Sequence, residues 1–402
     1  MRGRGKREEG EDRQRIMIGA QMRFEHSRLL CILHNRFIMK LGLGLYGAML
    51  NQEHYRFAKQ AGATHIVAHV VGYFKKEGSA NVITDGSADY GFGVSDPDDY
   101  AWSYEWLRDT KAAMNAEGLE WEAIENFEPA HWYDVLLDGP KRDEQMAHLK
   151  QLIRNMGRVG IPVMGYNFSL AGVWGRQTVE VARGGAPSVG YHETVETPIP
   201  DGMIWNMVYD VEKYDPQGRR GTVAPISHDE LWSRLQRFLG ELLPVAEEAG
   251  VKLALHPDDP PLPTLRGTPR LVYGWDLYDK LLNLFPTASN GMEFCLGTLA
   301  EMSRKGDFSS FNDMVDHYAS TGRIHYVHFR NVRGTVPNYD EVFVDDGDVD
   351  MIEVIRILHK HNFQGVLIPD HTPQMACAAP WHAGKAYAMG YMKAAIKLIT
   401  GK

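Results

Sequence analysis

The sequence predicts an α/β chain folded as a (β/α)8 TIM barrel, and two observations carry the prediction. From residue 40 onward, short apolar runs rich in β-branched residues alternate with longer stretches of helical period, giving eight such pairs. Eight strands each followed by a helix is the count of that barrel. The second observation is that each run carries a polar or ionisable residue at or next to its C-terminal end. This suits a fold whose strand C-termini converge on one pocket.

The strands are predicted at Leu41–Tyr46, His65–His69, Glu120–Glu125, Pro162–Asn167, Lys252–His256, Met292–Cys295, Arg323–Phe329 and Gly365–Asp370. Among the helices, 143–157 places Met146, Leu149, Ile153 and Met156 on one face. The segment 229–249 does the same with Leu231, Leu235, Phe238, Leu242 and Val245, and Gly250 follows as a helix C-cap would. Weaker helical patterns cover 51–61, 102–117, 273–285, 309–321, 349–361 and 383–399. A doubly wound sheet competes poorly: Gly42-Leu-Gly44 lies inside a strand, and no third glycine follows at the fingerprint distance. Two connections, 70–101 and 168–228, are too long for plain βα loops. They are expected as insertions after strands 2 and 4, on the face where barrels build pockets.

Residues 1–38 differ from the rest. They mix both charge signs densely, and Leu29–Leu33 is too short for a signal-peptide core. They are expected to be a disordered leader or an over-extended start before Met39, with residues 39–402 forming a single barrel domain.

The chain of 402 residues has a formal net charge of −9, 24% charged and 44% hydrophobic residues. That composition excludes a collagen-like fibre, a disulfide scaffold and a wholly disordered chain. No apolar run approaches the roughly 18–20 residues of a membrane span. The acidic balance argues against a nucleic-acid partner. Cys31, Cys295 and Cys377 are odd in number and widely spaced, which fits a reducing cytoplasm.

The strand-closing residues are Tyr46, His69, Glu125, Asn167, His256, Cys295, His328 and Asp370. Four of them, His256, Cys295, His328 and Asp370, come from the fifth to eighth strands. Imidazole, thiolate and carboxylate together suit a transition metal such as Mn²⁺, Fe²⁺, Co²⁺ or Zn²⁺, and the thiolate disfavours Mg²⁺ and Ca²⁺. Taken singly, Cys295 reads as a small buried hydrophobe and His328 as a satisfied core histidine; only the barrel makes them a set. His256-Pro-Asp-Asp-Pro-Pro261 puts Asp258 and Asp259 beside one ligand in a stiff loop. His328-Phe-Arg330-Asn-Val-Arg333 sets cations beside another, able to clamp a carboxylate, although Arg333 reads equally well as a solvated loop charge. His371, next to Asp370, offers an acid or base. Asp346-Gly-Asp348-Val-Asp350 resembles a calcium-loop fragment without the rest of its pattern, so Asp348 or Asp350 is expected to cap the following helix.

The segments Tyr166-Asn-Phe168, His256 to Pro261, Cys295 with Gly297, His328-Phe-Arg330, Gly347-Asp-Val-Asp-Met351 and Pro369-Asp-His371 with Gln374-Met375 resemble, in order and spacing, the D-mannonate dehydratases of hexuronate catabolism. The likeness runs from about Tyr46 to the C-terminus. It implies a metal-dependent TIM barrel, usually using Mn²⁺ (with Fe²⁺ or Co²⁺ as substitutes), whose ligands match His256, Cys295, His328 and Asp370. The implied reaction removes water from D-mannonate to give 2-keto-3-deoxy-D-gluconate. Under it, His371 acts as acid or base, Arg330 orients the substrate carboxylate, and Tyr46, Glu125, Asn167, Asp258 and Arg333 contact substrate.

The chain departs from the family at two places. Thr372-Pro373 stand where a Gly-His is usual, and Pro380-Trp381-His382 where a Pro-Gly-Tyr is usual, so His382 is expected to serve as the proton donor in the tyrosine's stead. Two other classes compete: a metal-dependent sugar isomerase or epimerase of the xylose-isomerase type, which the thiolate disfavours, and a sugar-acid binding protein without turnover, which would have little use for four ligands. Barrel enzymes often form homo-oligomers, and the sequence leaves that state open.

Overall fold

A computed structural model describes residues 39–73, 93–303 and 310–401. Eight parallel strands close into a barrel: β1 (Lys40–Tyr46), β2 (His65–His69), β3 (Glu120–Glu125), β4 (Val163–Tyr166), β5 (Lys252–Leu255), β6 (Asn290–Cys295), β7 (Ile324–His328) and β8 (Val366–Ile368). The neighbour order β1-β8-β7-β6-β5-β4-β3-β2 returns on itself. The outer ring holds α1 (Gln52–Ala61), α2 (Tyr104–Ala116), α3 (Arg142–Val159), α4 (His228–Ala249), α5 (Leu277–Leu284), α6 (Phe311–Ser320), α7 (Met351–Lys360) and α8 (Pro380–Thr400).

Every predicted strand and helix is present, with shifts at the ends. β4, β5 and β8 stop one or two residues before Asn167, His256 and Asp370, because the ladder ends as the chain turns outward over the rim. His256 still donates its N–H to the Tyr166 carbonyl at 2.9 Å. Helix boundaries have local chemical causes. Ser227 accepts from the Glu230 N–H at the start of α4, and Gly250 ends it at φ 70. Asp350 accepts from Ile352 and Glu353 and so caps α7, while Asp348 accepts instead from the Gly334 N–H.

The sequence did not predict a four-stranded antiparallel sheet over the barrel mouth. It joins Arg176–Ala182 and Ala186–His192, from the connection after β4, to Asn331–Thr335 and Asn338–Val342, from the connection after β7. The expectations for residues 1–38, and for 74–92 within the connection after β2, lie outside the described residues. Among the described residues, no helix is long and apolar enough to cross a membrane.

Side chains alternate along each strand, so every second residue enters the barrel. An apolar layer of Val67, Ala123, Val163, Ala254, Tyr326, Val366 and Ile368 fills the interior. The register sets the layer above it by pairing Tyr46 with His69 and Cys295 with His328. Asp370 lies two residues beyond Ile368, the partner of His328.

Candidate metal centre

At the C-terminal mouth, ligand atoms of His256, Cys295 and His328 all lie within 4.8 Å of one another. Cys295 and His328 are buried, and His256 is half-buried. Asp370 adjoins them, its Oδ2 3.5 Å from His328 Nδ1. A second group, Glu125, Glu293 and His328, is equally close and entirely buried. His328 Nε2 lies 3.1 Å from Glu125 and 3.0 Å from Glu293. His69 Nε2 meets Glu125 at 3.3 Å, and its ring stacks on Tyr46 with centroids 4.5 Å apart.

Electrostatics at this cluster favour added positive charge. Burial opposes ionising Cys295, yet the Arg330 guanidinium and the His256 and His328 imidazoles hold its thiol well below the ordinary range. Burial likewise opposes the charged forms of His256 and His328. Glu293 and Cys295 nevertheless raise His256 to about 9, and Asp370 with both glutamates raises His328 well above its usual value. Glu125, despite burial, is held down to about 2 by His69 and His328. Glu293 goes the other way, to about 7, under burial and the charge of Glu125. The thiolate and carboxylates thus draw protons onto two imidazoles, and a divalent cation would supply the same charge at the same donors.

The remaining predicted residues divide. Asn167 is buried at the end of β4, and Tyr46 is a near neighbour of Glu125 and Asp370, which together with burial raise its phenol. His371 Nδ1 sits 2.9 Å from Glu341. Arg330, expected to face a substrate carboxylate, is fully buried. Its guanidinium contacts Glu341, reaches Asp259 at 2.8 Å and Glu301 at 3.2 Å, and donates to Cys295 at 3.4 Å. Asp258 accepts from the Leu271 and Val272 N–H groups and pairs with Arg270 at 2.7 Å, anchoring its own loop. Arg333 is half-exposed and bonds the Asp346 carbonyl at 2.8 Å. The His382 ring neighbours are His54, Phe57 and Trp381, and none of these belongs to the ligand groups.

Sequence reading missed two acidic residues. Glu293 stands two residues before Cys295, so the strand period turns both into the barrel; a carboxylate inside the apolar run Met292–Phe294 was the available signal. Glu341 had none, because only the unpredicted sheet brings it to Arg330 and His371.

Comparison with known proteins follows the same lines. Residues 39–398 match the family described as D-mannonate dehydratase (UxuA). A mannonate dehydratase of Streptococcus pneumoniae (strain 70585) is 33% identical over 280 residues, 67% of this chain and 74% of its own. The crystal structure of mannonate dehydratase from Streptococcus suis serotype 2 has a TM-score of 0.68 and 26% identity, covering 90% of this chain and 95% of that one. A xylose isomerase domain protein from Planctomyces limnophilus covers 91% of this chain and all of its own, at TM-score 0.51 and 14% identity. That last likeness extends to the barrel alone and lends the isomerase alternative no support. A family match across nearly the whole barrel, a relative one-third identical and a solved structure of the same description together mean that the chain belongs to the D-mannonate dehydratase family and is a hydro-lyase.

Proposed function

We propose that this chain dehydrates D-mannonate to 2-keto-3-deoxy-D-gluconate at the barrel mouth, as a cytoplasmic step of hexuronate catabolism, with His256, Cys295, His328 and Asp370 holding a divalent cation. One observation carries the reading: a buried cysteine sulfur clustered with two imidazoles, one of them 3.5 Å from a carboxylate, in a chain of this family. The donor chemistry suits Mn²⁺, with Fe²⁺ or Co²⁺ as substitutes. When bound, the cation supplies Lewis acidity that offsets the charge developing as the proton α to the carboxylate leaves.

The chain's own groups do the rest. His371, held at Nδ1 by Glu341, turns Nε2 to within 3.6 Å of Asp370 Oδ1 at the edge of the centre, where it would take the C2 proton. The C3 hydroxyl leaves as water with one added proton, and the enol so formed tautomerises to the 2-keto acid. Tyr46, kept neutral by burial and nearby carboxylates, retains the hydroxyl proton that a substrate oxygen can accept. Asn167 and Glu125 sit at the same mouth to contact substrate hydroxyls. Arg330 acts through Cys295, as the countercharge that keeps the thiolate ionised. Asp258 and Arg333 contribute through the loops they hold, and His382 is the proton-donor candidate in α8.

The test is turnover of D-mannonate by protein stripped of metal and resupplied with Mn²⁺, read as a 2-keto-3-deoxy acid. The expected result is Mn²⁺-dependent product, with metal and activity lost together in Cys295→Ala. Full activity of Cys295→Ala without metal would overturn the site. Metal bound without product would overturn D-mannonate as substrate.

A further inference from the structure

Glu341 comes from the sheet over the mouth, in the strand Asn338–Val342, and only 1% of it is exposed. The ladder pairs it with Val332, two residues past Arg330. Both of its oxygens approach one nitrogen: Oε1 lies 3.0 Å and Oε2 2.9 Å from His371 Nδ1. Oε1 also accepts from Arg330 Nη1. Burial opposes ionisation of Glu341, yet the Arg330 guanidinium and the His371 ring hold it below the ordinary carboxylate range. An ionised carboxylate only accepts hydrogen bonds, so the proton of a neutral His371 ring belongs on Nδ1. The lone pair then falls on Nε2, the nitrogen 3.6 Å from Asp370 Oδ1.

We propose that Glu341 is a positioning residue: it accepts the His371 Nδ1–H, fixes that tautomer, and so turns the basic nitrogen toward the C2 proton. The inference rests on the dehydratase reading above, in which His371 is the base. Without such an acceptor the ring is free to rotate, and either nitrogen can carry the proton. Arg330 completes the arrangement. It has further acceptors in Asp259 and Glu301, 2.8 and 3.2 Å away, and it takes any acceptor oxygen offered at position 341 as well. In Glu341→Gln the amide oxygen is therefore drawn to Arg330, and the amide NH₂ faces His371 Nδ1. That nitrogen must then accept, the ring proton moves to Nε2, and the base is lost. The isosteric replacement is the damaging one, the reverse of what a packing role would give.

The experiment labels the histidines of the full-length, Zn²⁺-loaded chain with ¹⁵N and reads the His371 imidazole nitrogens at about pH 9, where a free imidazole is neutral. The spectrum of His371→Asn identifies those signals. The wild type is expected to carry its proton on Nδ1, and Glu341→Gln on Nε2. In turnover of D-mannonate, kcat of Glu341→Gln is expected to fall by about 10²- to 10⁴-fold with KM little changed. Glu341→Ala leaves the ring free to sample both tautomers and is expected to lose less. Protonation at Nε2 in the wild type, or one tautomer in both proteins, would overturn the proposal. So would wild-type kcat in Glu341→Gln. Loss of Co²⁺ affinity in step with activity would also overturn it, by placing the role in Arg330 and Cys295. A wild type that leaves D-mannonate unchanged would overturn the dehydratase reading, and the tautomer comparison alone would then decide whether Glu341 sets the ring.

Discussion

Gly165 leaves space in the barrel interior that the Tyr326 hydroxyl and the Glu293 carboxylate occupy together. A methyl group there meets one end of a ring locked between strands, so the neighbour yields only by shifting β7. Overpacking of this kind costs about 1–3 kcal/mol. Gly165→Ala is therefore expected to lower the urea midpoint of the metal-free protein by the corresponding amount. An unchanged midpoint would mean that Tyr326 relaxes without strain. The clustering of His256, Cys295, His328 and Asp370 was legible in the sequence because each falls at or just past the end of a strand that announces itself. Glu293 was legible in principle, as a charge in an apolar run at even spacing from Cys295. Arg330 was visible as a residue but misjudged in its surroundings: no local pattern reveals that Asp259, Glu301 and Glu341 converge on it from three separate segments.

Among the elements, the antiparallel sheet over the mouth makes the rim a fixed structure. Tyr339 donates its hydroxyl to Asp259 Oδ1 at 2.7 Å, while Arg176 and Arg330 bind the other oxygen. One loop carboxylate thus ties the sheet to β7 and to the segment after β5. Those cations outweigh burial and hold Asp259 ionised well below the usual carboxylate range. Tyr339→Phe leaves a buried charged oxygen short of a donor, at a cost of about 1–3 kcal/mol. The expected outcome is reduced stability toward urea, with faster proteolysis within residues 176–192. Equal stability and equal proteolysis would show that the hydroxyl is dispensable. This sheet was not legible beforehand. Its strands pair across a long stretch of sequence, and Arg176–Ala182 alternates weakly with several exposed residues, so only the β4 connection's length hinted at it. The barrel strands, by contrast, are set by short-range pattern, and all eight could be read.

Across the whole molecule, buried histidines of two kinds set opposing pH dependences. His325 lies outside the candidate metal centre, where burial and the nearby Lys252 and Arg323 depress it to about 3. His131, likewise buried and beside His148, falls to about 4. In the unfolded chain both would titrate near about 6.5. Their folded forms stay neutral, so below about pH 6.5 the unfolded state binds more protons and stability falls with pH. His256, raised to about 9, has the opposite sign: its contribution is present at low pH and lost as pH rises toward 9. A bare pH profile mixes the two, and a non-titrating replacement separates them. The unfolding free energy of the wild type minus that of His325→Gln should be flat above about pH 7.5. Between pH 6 and pH 4 it should fall by up to about 1.4 kcal/mol per unit, measured by urea unfolding of the metal-free protein. Parallel profiles for the two proteins would mean that His325 is reached by water and protonates freely in the folded state.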